Sequence, residues 1–275
     1  MPGITLHALA RTYDHPSKDP WDAVQLYETA LTYPNDWGAQ RVATAINTDP
    51  DTPCTGVTRA ELRAWIDGDG KPDAAHAVAT ARRHGWTATE WTATTRALAH
   101  LVVGVYVCGS ISIETSAPSW SPDDLETERI LTDALKTVGC GVTYVPRATQ
   151  RQGDEYRPAR YASHLGRALR TAGAPVGDKN ATSVDALPEW IGETPSDLKT
   201  ELARLFVRGR ANTYPTKATR RIQTARGQQY FSDVAQLLRD VTGESVTAST
   251  TGVTISAAAV RALDLEIDSE AHVNV

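Results

Sequence analysis

From Glu90 to Leu263 the pattern of apolar and polar residues predicts the same order of helices and strands twice, in two passes along the chain. Each pass roughly follows the order helix, two strands, helix, two strands, helix, with one strand before the middle helix in the first pass, and the passes are about 100 residues apart. Gly139 and Gly243 follow the middle helix of each pass, as glycine often does at a helix C-terminus. A long, weak repeat of this kind predicts a duplicated, pseudo-symmetric α+β domain rather than a solenoid.

The predicted elements of the repeat alternate between helical and strand periodicity. In the first pass the predicted helices are 91–108, 123–138 and 163–171, and the predicted strands are 110–115, 142–149 and 156–161. In the second pass the predicted helices are 197–207, 229–241 and 257–263, and the predicted strands are 211–218, 220–224, 246–249 and 252–255.

The first 90 residues predict short helices, at 21–31, 37–47, 57–66 and 74–84. Thr58 and Glu61 have the spacing of a capping box at the start of the third helix. The second and third helices together resemble a helix-turn-helix, which would direct Arg59 and Arg63 toward bases and phosphates. The loop 47–56 is longer than the usual turn of this motif, so a plain helical cap is the alternative.

Composition excludes several classes of protein. The longest apolar run, Leu101 to Cys108, is far shorter than the ~20 residues of a membrane span. The N-terminus shows no basic segment followed by an apolar core, so no secretory signal is expected. Three cysteines without CxxC spacing and scattered histidines predict neither a disulfide framework nor a metal site. We therefore expect a cytoplasmic protein that carries no cofactor and has no contact with a membrane.

The net charge of −5 conceals an uneven distribution. Residues 141–230 carry 15 Lys and Arg against 8 Asp and Glu, whereas the rest of the chain carries 13 against 25. A local basic excess within an acidic chain indicates an anionic partner.

The order of predicted elements from about residue 95 to 265 resembles the LAGLIDADG homing-endonuclease fold. The apolar helix that ends in Gly109-Ser110 and runs into the strand ISIETS is similar to the first motif of that family. The segment RYASHLGRALRTAGAPVGDKN, followed by LPEWI at 187–191, resembles the part of archaeal LAGLIDADG domains that ends in G-x-K and then LP-x-W. Residues 202–210, LARLFVRGR, lie where the second motif is expected.

The two motif ends depart from the family pattern. In active members each motif ends in Asp-Gly or Glu-Gly, and the two acids hold the divalent metal ions that hydrolyse both strands. An ungapped alignment places Cys108 at the first acid position and Gly209 at the second, or Arg208 with a shift of one residue. A thiol, a glycine or an arginine gives a hard cation no anionic oxygen ligand. The resemblance therefore implies a fold without catalytic or metal-binding residues, and enzyme activity is not expected.

The same resemblance places two basic groups on the surface that rests on DNA. The stretch from Arg204 to Arg226 holds seven Lys and Arg and no acid, around a hairpin of Thr, Asn, Tyr and Gln. Arg pairs bidentately with guanine and Asn or Gln with adenine, whereas Lys more often meets phosphate. The candidate contacts are Arg210, Lys217, Arg220, Arg221 and Arg226, together with a second group of Arg147, Arg151, Arg157 and Arg160. The alternatives are a solvated basic face and, for Arg151 and Arg157, pairing with Asp154 and Glu155.

These observations predict an α+β protein in two parts. A small helical, helix-turn-helix-like domain spans 1–90, a two-repeat LAGLIDADG-like αββαββα domain spans 91–265 with repeats at 95–191 and 196–265, and an acidic tail spans 266–275. The expected function is sequence-specific binding of double-stranded DNA, by a monomeric transcription regulator of archaeal origin with no small-molecule substrate. The alternatives are an active or decayed homing endonuclease that cuts duplex DNA with a divalent metal, and a protein-interaction scaffold.

Overall fold

The computed structural model describes residues 1–15, 18–52, 54–146, 154–180, 182–214 and 216–265. The chain forms two compact units: a helical unit, Ile4–Thr87, and an α+β unit that runs from Ala88 onward and includes Met1–Gly3. Two of the candidate contacts, Arg147 and Arg151, and the predicted acidic tail 266–275 lie outside the described residues.

In its described residues, the helical unit contains the four predicted helices and one further short helix. Its elements are α1 (Leu6–Ala10), α2 (Pro20–Ala30), α3 (Ala39–Thr48), α4 (Arg59–Ile66) and α5 (Asp73–Arg83). Helix α1 was not predicted, because five residues are too few to show helical periodicity. Helices α2, α3 and α4 share an apolar core that includes Leu26, Val42, Ile46 and Leu62.

The α+β unit contains six helices and eight strands among its described residues. The helices are α6 (Ala93–Val107), α7 (Leu125–Thr137), α8 (Ala162–Thr171), α9 (Ser196–Arg210), α10 (Gln228–Thr242) and α11 (Ala257–Ala262), with a single 3-10 turn at Glu189–Ile191. The strands are β1 (Gly109–Ile111), β2 (Pro118–Trp120), β3 (Val142–Val145), β4 (Glu155–Pro158), β5 (Ala211–Tyr214), β6 (Lys217–Ile222), β7 (Val246–Ser249) and β8 (Gly252–Ile255). The predicted α+β class is confirmed.

The strands form two antiparallel sheets of four strands each. The first has the order β1-β2-β4-β3 and the second has the order β5-β6-β8-β7, so corresponding strands hold corresponding places. Each half of the unit therefore runs helix, two strands, helix, two strands, helix, which is compatible with the predicted two-repeat arrangement.

Several predicted strands are wrong in their extent. The strand predicted at 211–218 covers β5 and the start of β6, which pair with each other, and the strand predicted at 156–161 ends at Pro158. The strand predicted at 110–115 ends at Ile111, and the chain turns back to form β2. Within the turn Ser112 N–H donates to the Ala117 carbonyl, and Ser116 has a φ of 55°. A serine in the left-handed region is uncommon, so the residue type gave no signal for this turn. Glu114 consequently lies exposed in the turn and not in a strand.

Helices α6 and α9 pack against each other inside the α+β unit. Helix α6 is largely buried and α9 buries one face, with Leu101 and Leu202 fully inaccessible to solvent. Near their C-termini the backbone of Gly209 lies directly against the side chain of Val107. Since β1 follows α6 at once and β5 follows α9 at once, the two sheets begin side by side at the ends of this helix pair. In the described part of the chain, no helix is both long enough and apolar enough to cross a membrane.

Candidate nucleic-acid interface

The second sheet carries a row of polar side chains across its outward face. Strand residues alternate between faces, and Ile222, Val253 and Ile255 point into the buried side. On the opposite face Asn212 pairs with Arg221, Arg221 with Thr254, and Thr254 with Thr247. Asn212, Thr254 and Thr247 are exposed and Arg221 is half-buried. This row offers hydrogen-bond donors and acceptors to a ligand that covers several strands.

Arg221 is only loosely tethered within the row. Its Nη2 donates to Thr251 Oγ1 at 3.4 Å, and its Nε is buried without a hydrogen-bond partner among the described residues. Lys217, at the other end of β6, is exposed and pairs with Tyr214 beyond an irregularity in the β5–β6 register. Arg221 therefore lies on the side of the sheet opposite to Ile222, and Lys217 adds an exposed cation at the end of the same strand.

The outward face of the first sheet holds the corresponding row. Ser110 pairs with Ser119, and Arg157 pairs with Thr143. Arg157 is exposed, and its Nη2 lies 2.8 Å from Oε2 of Glu155, a carboxylate that is almost fully buried. This is the ion pair that the alternative interpretation of Arg157 predicted. A cavity of about 370 Å³ opens over this face, lined in part by Ser110, Glu155 and Arg157.

Arg220 lies on the wrong side of the sheet for the predicted contact. It shares its face with Ile222 and Ile255, and its Nη2 donates to the Leu265 carbonyl at 3.3 Å. Burial lowers the pKa of its guanidinium, and the neighbouring charge of Arg208 adds to the effect. The sequence placed Arg220 and Arg221 together, whereas strand alternation separates them.

Arg226 is also not a surface residue. It is 7% exposed, and its Nη1 donates to the backbone carbonyls of Ala225, at 2.8 Å, and of Lys179. Arg204, part of the same basic stretch, lies in an ion pair with Asp264 at 2.7 Å and donates to the Leu263 carbonyl. The outward basic surface is therefore smaller than the charge count of the sequence suggested. The exposed candidates Arg160 and Lys217 remain on the surface.

The C-terminal ends of α6 and α9 bring Cys108 and Arg210 together. Helix α9 continues through Gly209 to Arg210, and Arg208 is exposed. The charge of Arg210 acts on Cys108, and the backbone of Gly209 lies against Val107, the residue before Cys108. Burial raises the pKa of the Cys108 thiol to about 12, although the charges of Arg210 and Lys179 act in the opposite direction. The thiol is neutral at physiological pH and offers no anionic ligand to a hard cation.

Lys179 is the residue of this region that sequence reasoning missed. Its Nζ donates to the Val105 carbonyl at 2.7 Å and to the Gly109 carbonyl, across the C-terminal end of α6. Burial lowers the pKa of this ammonium group to about 8, and the charges of Arg210 and Arg226 contribute. The only signal for it in the sequence was its place in the segment GDKN, within the resemblance to LAGLIDADG domains.

The helical unit holds Arg59 and Arg63 exposed on α4. The predicted capping box is present, because Glu61 N–H donates to Thr58 Oγ1 and the Glu61 carboxylate accepts from Thr58 N–H. The long loop before α4 is held by Asn47, whose side chain exchanges two hydrogen bonds with the backbone of Val57, at 2.7 and 2.9 Å. This clamp fixes the α3–α4 pair despite the length of the loop.

A charged groove of about 730 Å³ lies between α6, α7 and α9. Three of its arginines face acids: Arg96 lies 3.8 Å from Glu201, Arg129 lies 3.7 Å from Asp133, and Arg204 pairs with Asp264. The groove is thus electrically balanced to a large extent, in contrast to the helix ends.

Among the residues that the structure describes, no group of three or more His, Cys, Asp or Glu side chains is placed to hold a metal ion. No protein-family model matches the chain, and no curated protein matches it.

Proposed function

We propose that this protein binds double-stranded DNA through the outward faces of the two sheets of its α+β unit. The observation that carries the proposal is the polar row of the second sheet, Asn212–Arg221–Thr254–Thr247, which lies over an apolar buried face. A β-ribbon fits the major groove, where Arg pairs bidentately with guanine and Asn with adenine. Arg221 and Asn212 are direct neighbours across β5 and β6 and would read adjacent base edges.

The first sheet makes a weaker contribution in this proposal. Among the described residues its row contains Ser110, Ser119, Thr143 and Arg157, and Arg157 is engaged by Glu155. A side chain that already has an ion-pair partner must exchange that partner for a base or a phosphate. Its net contribution to the free energy of DNA binding is therefore smaller. The two sheets would therefore bind unlike half-sites, and the target would lack twofold symmetry.

We propose further that the unit has a LAGLIDADG-like fold that does not cleave DNA, and that the protein acts as a transcription regulator. The element order and strand order support such a fold. The helix ends, where a metal would be held, carry a neutral thiol and the cations Arg210 and Lys179, which repel a divalent cation. The exposed pair Arg59 and Arg63, on a capped helix, supports a second DNA contact by the helical unit.

Adjacent arginines on opposite faces of β6 allow a matched test. A preferred duplex is first selected from random sequences with the full-length protein, and its dissociation constant is then measured for Arg221→Ala and Arg220→Ala. If Arg221 reads a base, its loss costs about 1–3 kcal/mol, which is a roughly 5- to 150-fold weaker binding. Arg220→Ala removes an equal charge from the buried side and should change binding less than about threefold.

Thermal unfolding of both variants shows whether either is simply destabilised. Equal weakening by the two variants would mean that only overall charge matters, and the proposed reading face would be wrong. Unchanged binding by Arg221→Ala would also contradict it.

A further inference from the structure

Three cationic side chains converge where α6 and α9 end. Lys179 is anchored by the carbonyls of Val105 and Gly109, and Arg226 Nη1 donates to the Lys179 carbonyl. Arg210 is close enough for its charge to act on Cys108, Lys179 and Arg226. The two carbonyls use two of the three N–H donors of Lys179, so one donor is left for another partner.

Among the described residues no carboxylate forms an ion pair with Lys179, Arg210 or Arg226, although the exposed side chain of Asp185 lies against Gly227, next to Arg226. The other titratable groups that interact with the cluster are Cys108, Tyr106 and Tyr230. All three have a raised pKa and are uncharged at neutral pH. The charges of Asp123 and Asp124 are the weakest contributions to the raised pKa of Cys108. The side chain of Asp124 also caps the N-terminus of α7. The charge of Asp233 helps to raise the pKa of Tyr106. The Asp233 carboxylate accepts hydrogen bonds from Leu187 N–H and from the Gln229 side chain.

Several buried donors of the cluster have no partner among the described residues. They are the Tyr230 hydroxyl, the Arg210 Nε and the Arg226 Nε. Tyr230 is fully buried, and the charges of Arg210 and Arg226 both lower the pKa of its hydroxyl against the larger effect of burial. Buried donors without acceptors, next to like charges without a counter-ion, are costly unless an anion satisfies them.

We infer that the ends of α6 and α9 form an anion site for a phosphate group, held by Lys179 and Arg210 with Arg226 behind them. The phosphate oxygens accept from the remaining Lys179 N–H and from the Arg210 guanidinium, which forms bidentate contacts with tetrahedral oxyanions. The anion is a DNA phosphodiester, in which case the inference rests on the proposed function, or free inorganic phosphate. The site takes an anion where the resembled fold would hold a cation.

The first experiment uses inorganic phosphate and does not depend on DNA. Thermal unfolding of the full-length protein is followed in phosphate and in chloride at equal ionic strength. At a phosphate concentration ten times its dissociation constant, the melting temperature should rise by about 3–5 °C. Lys179→Met and Arg210→Gln should abolish the rise, whereas Lys217→Met, which removes an exposed charge from β6, should retain it. If Lys179→Met does not fold, Arg210→Gln alone decides the result.

The second experiment uses the selected duplex and identifies the source of the phosphate. Arg210→Gln should weaken duplex binding about tenfold, and one neutral methylphosphonate linkage should weaken binding of the wild type but not of Arg210→Gln. Stabilisation by phosphate without any duplex binding supports the site with free phosphate as its ligand and contradicts the proposed function alone. The inference is overturned if phosphate and chloride give equal melting temperatures and Arg210→Gln binds the duplex as the wild type does.

Discussion

Replacing Gly209 by alanine tests how closely α6 and α9 approach each other. A Cβ at this position would overlap the side chain of Val107, which is fully buried. Val107 is β-branched and holds essentially one rotamer in a helix, so it cannot turn away. The new methyl group must therefore displace one helix or strain the other.

Two effects of opposite sign set the size of the change. Alanine favours the helical backbone over glycine by about 1 kcal/mol. Overpacking a well-packed core costs about 1–3 kcal/mol. We expect a net loss of about 1 kcal/mol, which lowers the melting temperature of a unit of this size by about 2–4 °C.

The assay is a double-mutant cycle by chemical denaturation. Val107→Ala alone should cost roughly 2 kcal/mol, from the lost apolar burial and the cavity that it leaves. In the double variant the methyl group introduced by Gly209→Ala occupies the vacated space, so the loss should be smaller than the sum of the two single losses by about 1 kcal/mol. A Gly209→Ala variant that is more stable than the wild type, with additive effects in the cycle, would refute the close approach.

Three further outcomes follow from the charges at the helix ends and on α4. Because the pKa of Lys179 is lowered from 10.5 to about 8, the native state loses this proton before the unfolded state does, so the free energy of unfolding of the wild type should rise relative to Lys179→Met above pH 8. Denaturant titrations of both proteins at pH 7, 8 and 9 measure this, and a constant or falling difference would contradict it. The selected duplex should stay intact with magnesium or manganese, since Cys108 and Arg210 offer no metal ligand; a specific double-strand break, lost when one acid is replaced, would show a metal-dependent nuclease. Arg59→Ala combined with Arg63→Ala should shorten the protected footprint without abolishing it, and an unchanged footprint would identify the helical unit as a cap.

Periodicity and glycine placement predicted most of the fold. Gly139 and Gly243 follow α7 and α10 with φ angles of 79° and 67°, where glycine has no steric penalty. Strands β7 and β8 have the predicted bounds, because a two-residue turn separates two clearly alternating runs. Strand β2 was missed because its three residues, Pro-Ser-Trp, follow a turn built on a serine in the left-handed region.

The sequence indicates the segments that hold the candidate site residues, but not the face of the sheet on which each residue lies. A run of positive charge identifies a segment of the chain, whereas the exposed or buried position of each residue depends on where β6 begins and on which strand it pairs with. Arg220 and Arg221 therefore looked equivalent, although one donates to the Leu265 carbonyl and the other lies in the outward polar row. Lys179 was missed because its partners, the carbonyls at the end of α6, are about 70 residues away in sequence.

The salt dependence of duplex binding by the full-length protein tests the central claim most directly. If the exposed cations Lys217, Arg157 and Arg160 each neutralise one phosphate, a plot of log K against log salt concentration should have a slope of about −2.7, or roughly 40-fold weaker binding between 50 and 200 mM monovalent salt. Lys217→Ala should make this slope shallower by about 0.9. A flat salt response, or a slope that Lys217→Ala leaves unchanged, would contradict DNA binding through these faces.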